Sequence, residues 1–388
     1  MITPDHKPYA TERQWEYCQA VVEHGSMAGA ARAIGVKRQT IQNAVKAVKA
    51  KAAKAGHSPE HDMTHTVPDG FKVKGTSTLY KDGQPVIQWV KSAIDAERQY
   101  ELMQEAVRAM CETIPKQAPI PLTTLTGYDD SIMNCYVITD YHLGALSWEP
   151  ETGADWDTDI AEETLIKWFE KAISCAPNSE SAVLAQLSDF LHWDGFDAVT
   201  PASKHLLDAD TRFPNLARTA IRVLRRVISM LLTKHQTLHI IMADANHDPV
   251  SQVWLRELFS VLYEDEPRIT VDTSPSPYNA YEFGQTALFF HHGHKRKTSN
   301  ISDVFAGKFR EMYGRTKHAY AHTGHLHSNE LKETNLMLVE QHRTLAAPDA
   351  YAARGGWLSG RDAKVITYHK EYGEVGRVTI SYDMVHGL

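Results

Sequence analysis

The chain has 388 residues, 48 acidic against 41 basic side chains, a net charge of −7 and 43% hydrophobic residues. That length supports two or three domains. No apolar run approaches the roughly 20 residues of a membrane span and no basic-plus-apolar leader is visible, so a membrane or secreted protein is not expected. Cys18, Cys111, Cys135 and Cys175 lie far apart with no CxxC pair. Cys18, Cys135 and Cys175 sit among apolar residues, which predicts core thiols in a reducing cytoplasm (a host's, if the chain is phage-encoded).

Residues 1–56 read as a small helical domain. Thr11 and Gln14 form a capping box ahead of a helix whose apolar face is Trp15, Cys18, Val21 and Val22. Ser26 caps a second helix to Ile34, Gly35 turns the chain, and a third helix runs from about Arg38 to Lys54. The spacing of Ala31, Gly35, Ile41 and Ala44 resembles the helix-turn-helix of DNA-binding proteins. Its exposed face would carry Lys37, Arg38, Gln39, Gln42, Asn43, Lys46 and Lys49, residue types that contact phosphates and base edges. From Ala30 to Gly56 there are seven Lys or Arg and no acidic residue, a local basic element in an acidic chain.

Residues 57–66 read as a solvated linker despite His57, His61 and His65. Phe71 to Lys91 reads as a hairpin turning at Lys81-Asp82-Gly83. A helix is expected from Ser92 to Glu112, burying Ile94, Leu102, Val107 and Met110, and residues 57–113 form one connecting region. Residues 114–130 are a Pro-rich linker into a catalytic domain, residues 131–388.

Within that domain, five apolar segments each run out into ligand-type residues. Asn134–Thr139 leads to Asp140-Tyr141-His142, and Ala182–Leu187 leads to Asp189 and His192. Leu238–Met242 leads to Asn246-His247-Asp248 and then a helix opened by Pro249, with Val250, Trp254, Leu255 and Leu258 on its apolar face. Ala287–Phe290 leads to His291-His292-Gly293-His294, and His318–Ala321 leads to Gly324-His325-Leu326-His327. Strand ends are where an α/β sheet presents its chemistry. Carboxylates, an amide and several imidazoles suit Mn²⁺, Fe or Zn²⁺ better than Ca²⁺. Trp148–Asp159 is an acidic loop at the rim, and Gly195–Pro214 is a connection or lid. Leu216–Leu232 is a helix bearing Arg218, Arg222, Arg225 and Arg226, and Lys295-Arg296-Lys297 is placed to hold flanking phosphates. From Asn335 onward, runs such as Leu336–Val339 and Val378–Tyr382 predict strands closing a second sheet.

The order D-x-H, D, N-H-D, H-G-H, G-H-x-H over residues 131–345 resembles the calcineurin-like metallophosphoesterases. Ser188 and Ala245 stand where that family usually has glycine. Ser188-Asp189-Phe190-Leu191-His192 is similar to the G-D-L-F-H signature of SbcD-type DNA repair nucleases. Lys74–Tyr80 followed by Gln88–Lys91 resembles bacteriophage proteins that join such a region to a phosphoesterase. The resemblance implies an α/β fold of two packed β-sheets flanked by helices, here with a small all-α N-terminal domain. It implies two divalent metal ions, Mn²⁺ foremost, with Fe or Zn²⁺ as alternatives. Asp140, His142, Asp189 and His327 would hold one; Asn246, His292 and His325 would hold the other, with Asp189 bridging. His291 and His294 are the alternatives to His292. His247 would face the scissile phosphate as stabiliser or general acid, a neighbouring carboxylate or imidazole fixing its tautomer, and His192 would pair with it. The expected function is a DNA nuclease targeted by its helix-turn-helix. The alternatives are a phosphoesterase for nucleotides, RNA ends or phosphoproteins, or a non-catalytic DNA-binding scaffold. DNA is the expected partner, no membrane contact is expected, and a homodimer is compatible with the sequence.

Overall fold

A computed structural model describes residues 2–61, 63, 66–67, 71–82, 84–95, 98, 101, 127–201 and 204–387. The chain divides into two units, 1–108 and 109–388.

In the first unit, α1 (Glu12–Glu23), α2 (Met27–Ile34) and α3 (Arg38–Lys54) form a bundle. Thr11 and Gln14 make the reciprocal capping box, and the Ser26 hydroxyl accepts the Gly29 N–H. Ala30, Ala31, Ile41, Ala44, Val45 and Val48 fill the core, and Gly35 takes the left-handed turn at φ 75°. Tyr17 and Ala20 share the buried face of α1 with Cys18, whereas Val22, expected on it, is 60% exposed. The segment after α3 is not a solvated linker. Pro59–His61 forms a 3-10 turn, and His57 is buried against the His6 and Tyr9 rings. The hairpin pairs β1 (Phe71–Lys81) with β2 (Gln84–Ile94). β2 therefore occupies residues 92–94, where the next helix was expected to start. The rest of that helix lies almost wholly outside the described residues, as does most of the Pro-rich linker.

The second unit is mixed α/β. Its larger sheet has the order β13-β12-β3-β4-β5-β6. The strands are β3 (Asp129–Ile138), β4 (Ser179–Gln186), β5 (Thr237–Met242), β6 (Ile269–Val271), β12 (Asp362–His369) and β13 (Gly373–Ser381). The smaller sheet runs β10-β11-β9-β8-β7, from β7 (Asn279–Phe283), β8 (Thr286–Phe290), β9 (His318–Thr323), β10 (Glu330–Glu333) and β11 (Leu338–Gln341). One apolar cluster joins Cys135, Val137, Val183, Ala185 and Ile366 of the first sheet to Phe283, Leu288 and Phe290 of the second, so the sheets pack face to face. Helices flank them: α4 (Glu149–Thr152), α5 (Thr158–Cys175), α6 (Phe213–Lys234), α7 (Pro249–Leu262), α8 (Ile301–Lys308), α9 (Arg310–Arg315), α10 (Ala350–Gly355) and α11 (Tyr382–His386).

Three expectations change here. The C-terminal strands do not all close the second sheet: Leu338–Gln341 joins it, but β12 and β13 extend the first, β12 pairing antiparallel with β3. Cys175 is exposed at the end of α5, because its apolar neighbours face the sheet while it faces away. Val250 is 47% exposed, so α7 buries only Trp254, Leu255 and Leu258 of its expected face. Among the described residues no helix is long and apolar enough to cross a membrane.

Candidate metal centre

β3, β4 and β5 run parallel in one sheet, and β8 and β9 run parallel in the other. Their carboxyl ends bring all five ligand-bearing turns together. The first two turns zip to each other: the Asp140 N–H donates to the Ser188 carbonyl, His142 N–H to Asp189 and Leu143 N–H to Phe190. The Gly324 N–H donates to the His292 carbonyl and ties the last two.

The backbone is bent to do this. Asp140 (φ 49°), His142 (48°), Ser188 (78°), Asp189 (48°), His325 (74°) and His327 (54°) all take the left-handed conformation without being glycine. Each costs on the order of 1–3 kcal/mol, and such strain collects at functional sites. At Ser188 the hydroxyl donates to the Ala243 carbonyl, which helps to hold the turn.

Two donor groups result. Asp140, Asp189, His292 and His325 form one, Asp140, His142 and His327 the other, with ligand atoms in each within 4.8 Å of one another. Asn246 joins the first, its Oδ1 lying 2.8 Å from His292 Nε2. The carboxylate common to both groups is Asp140, where the sequence reading gave the bridge to Asp189. Asp140 Oδ2 accepts from Thr139 Oγ1 (2.6 Å) and the His325 N–H (2.8 Å). Its Oδ1 is buried with no hydrogen-bond partner, 3.3 Å from His327 Nε2 and 3.8 Å from His292 Nε2. Asp189 Oδ1 accepts the Asn246 and His247 N–H groups (3.0 and 2.9 Å), leaving Oδ2 to face His292 at 3.0 Å.

The electrostatics favour positive charge. Burial opposes ionisation of Asp140, but His327 and His292 outweigh it and hold the carboxyl below the usual range; Asp189 behaves alike, with His292 foremost. Against the same burial, Asp189 and Asp140 push His292 up to about 10. Burial and the neighbouring His247 ring keep His142 well below its ordinary value. His292 Nδ1 donates to the Leu187 carbonyl at 2.8 Å, which fixes the tautomer and turns Nε2 toward the carboxylates. A buried orphan carboxylate oxygen among imidazole nitrogens, an amide oxygen and a second carboxylate fits divalent cations of the Mn²⁺, Fe or Zn²⁺ type.

Of the three histidines after β8, only His292 enters this group. His291 stacks on Tyr278 and its Nδ1 accepts the Gly293 N–H, while His294 faces Asp244 at 3.8 Å. His247 lies beside the cluster, its ring centroid 4.7 Å from that of His142. Its Nδ1 donates to the main-chain oxygen of His192 at 2.8 Å, so a carbonyl sets its tautomer rather than a carboxylate or imidazole. The His192 ring stacks on His247 at 5.7 Å, but its Nδ1 lies 3.2 Å from His142 Nδ1. His192 thus supports a proposed ligand and positions His247 through its backbone. Asp248 is turned away, accepting the Leu191 N–H (2.8 Å) and Gln252 Nε2 (2.6 Å).

Several contributors carried no sequence signal that was recognised. Thr344 Oγ1 donates to the Asp140 carbonyl at 2.6 Å. Asp194 accepts from Val250, Ser251 and the Ser251 hydroxyl at the start of α7, two residues after His192. A further buried group, His322, Glu340 and His342, lies within the same sheet, but Lys364 and Arg377 already balance Glu340. Gly324 is the tightest point: a Cβ there would overlap Thr139 Oγ1 and stand 2.5 Å from Asp140 Oδ2. Gly324→Ala should therefore displace Asp140, costing about 1–3 kcal/mol in stability and weakening metal uptake. Thermal unfolding and metal analysis check this, and wild-type values in both would show that the turn has room.

In the first unit, Lys37, Arg38, Gln39, Gln42, Asn43 and Lys46 all lie exposed on α3 or its N-cap. Gln39 Nε2 donates to Asn43 Oδ1 at 2.9 Å. Lys49 is instead ion-paired with Glu60.

No family profile and no curated protein matches the sequence. Solved structures match over 64% of this chain. One is a conserved uncharacterized protein from Streptococcus pneumoniae described as a predicted phosphoesterase (11% identity, 98% of that chain, TM-score 0.24). Another is an archaeal phosphodiesterase (13%, 100%, 0.32). A third is Vps29 from Entamoeba histolytica complexed with Zn²⁺ (11%, 99%, 0.26). At such identities and scores, the residues of the site alone carry the functional reading.

Proposed function

We propose that the chain is a two-metal phosphodiesterase of the calcineurin-like class, acting on DNA. The observation that carries this is the convergence of five strand ends on a buried carboxylate pair, with Asp140 Oδ1 unsatisfied between two sets of imidazoles. Asp140, His142 and His327 would hold one cation, and Asp189, Asn246, His292 and His325 the other, the carboxylates lying between them. When bound, two divalent cations supply Lewis-acid polarisation of phosphoryl oxygens and a water acidified toward neutrality. The chain's residues do the remainder. The His192 carbonyl holds the proton on His247 Nδ1, so His247 Nε2 is the atom left to hand a proton to the leaving oxygen. The experiment is hydrolysis of bis(p-nitrophenyl) phosphate beside the monoester, with Mn²⁺, Zn²⁺ or chelator. Metal-dependent turnover favouring the diester supports the reading; monoester preference moves it to the phosphatase alternative.

The DNA assignment rests on α3. Its exposed cations and amides form one face, and counterion release should make binding salt-dependent. Changing Lys37, Arg38 and Lys46 together to alanine is expected to weaken duplex binding and to flatten the salt slope by about 0.9 per lost phosphate contact. Gln42→Ala should act chiefly on a preferred sequence, by about 1–3 kcal/mol for a bidentate base contact. Titrations at two salt concentrations decide it; an unchanged slope would remove the anchor role.

A further inference from the structure

The two ends of the metal cluster differ in charge and in lining. At the His292–His294 end, Lys295, Arg296 and Lys297 are exposed. At the His327 end stands Asp349, which adds to the support that Asp140 gives the His327 charge against burial. Asp349 caps α10 by accepting the Ala352 N–H at 2.8 Å. α10 carries Tyr351, 70% exposed, and is followed by Trp357, 57% exposed. Trp357 folds back over Gly355 so closely that a Cβ there would lie 3.1 Å from its ring. The Tyr351 and Trp357 rings meet edge to face at 5.1 Å, each fixing the other. Arg354 joins α10 to Glu151 of α4 at 2.9 Å, and α4 is headed by Trp148, 64% exposed. Exposed Glu149, Glu151 and Asp155 make this rim acidic.

Rigid aromatic faces held in water beside a reaction centre mark a ligand surface. Bases stack on such faces whatever their sequence. The acidic side chains would repel a continuing phosphate chain, but not a nucleoside that ends there. The opposite basic rim is the one suited to further phosphates. We propose that Tyr351 and Trp357, with Trp148 beside them, form a subsite for the base of a strand's terminal nucleoside, the following phosphates running over Lys295, Arg296 and Lys297. Cleavage is then end-directed. Water's oxygen bonds to phosphorus, the bond from phosphorus to the leaving sugar oxygen breaks, and a proton passes to that oxygen, releasing a product with one nucleoside. This rests on the phosphodiesterase reading.

Two readouts test it. The first is binding, followed by calorimetry with deoxyadenosine monophosphate in Mn²⁺ buffer. Trp357→Ala should raise Kd about tenfold, the scale of one base–aromatic stack, and Trp357→Phe should restore most of it. Equal binding by wild type and Trp357→Ala, or binding of choline in place of the nucleotide, would overturn the subsite. The second is cleavage of a short deoxyoligonucleotide against the same strand with an abasic terminal residue. Wild type should prefer the intact end about tenfold in kcat/KM, and Trp357→Ala should lose that preference. Indifference of the wild type to the terminal base, or equal cutting of circular single strands, would contradict it. Bis(p-nitrophenyl) phosphate run alongside separates the two ideas: no hydrolysis there sinks the phosphodiesterase reading, whereas the nucleotide titration judges the subsite by itself.

Discussion

Asp140→Asn should abolish metal-dependent hydrolysis, by about three orders of magnitude or more if both cations act in the transition state. Its Oδ1 is the acceptor shared by both donor groups, and no hydrogen bond compensates it. The amide keeps the side chain's shape, so Thr139 and the His325 N–H can retain an oxygen partner and the fold should persist. Bound metal should drop toward zero. Asp189→Ala should likewise remove activity and lower metal toward one or zero per chain, because Oδ2 faces His292 while Oδ1 organises the Asn246–His247 turn. His325→Ala touches only one donor group and should leave one ion. Metal analysis distinguishes these outcomes: two ions retained in Asp140→Asn would show that its free oxygen is not a ligand.

The second large effect belongs to His247. His247→Ala should keep both metals, since no donor of the two proposed metal groups is lost. Turnover on diesters with poor leaving groups should fall by about 10²–10⁴-fold, the range for a general acid. The loss on bis(p-nitrophenyl) phosphate should be much smaller, because nitrophenolate leaves without a proton. Equal losses on both substrates would assign His247 to charge stabilisation alone. His192→Ala keeps the backbone oxygen that His247 uses, so it should act through the His142 contact and show as weakened metal affinity.

The five turns were legible because a parallel strand buried on both faces writes a plain apolar run. Asp140, Asn246 and His292 each follow such a run by a few residues. Two packed sheets with outer helices follow from the same pattern. What stayed hidden depends on atoms distant in sequence. Nothing around Gly324 shows that Thr139 and Asp140 will press against it. That a main-chain oxygen sets the His247 tautomer is invisible to any reading of side-chain types. Composition marked residues 57–66 as a linker, yet the His57 ring found His6 and Tyr9 to pack on. β13 alternates like any half-buried strand, and only its partner, β12, says which sheet it edges. Ser188 shows the limit most plainly: a residue other than glycine held at φ 78° through a carbonyl 55 positions away.

The most direct test is the number of cations per chain. The full-length protein, loaded with Mn²⁺ and freed of excess by gel filtration, should carry two ions by elemental analysis. Chelation should remove them together with bis(p-nitrophenyl) phosphate hydrolysis, and restoring Mn²⁺ should return both. A chain that binds no metal, or that hydrolyses the diester equally well in chelator, would contradict the account.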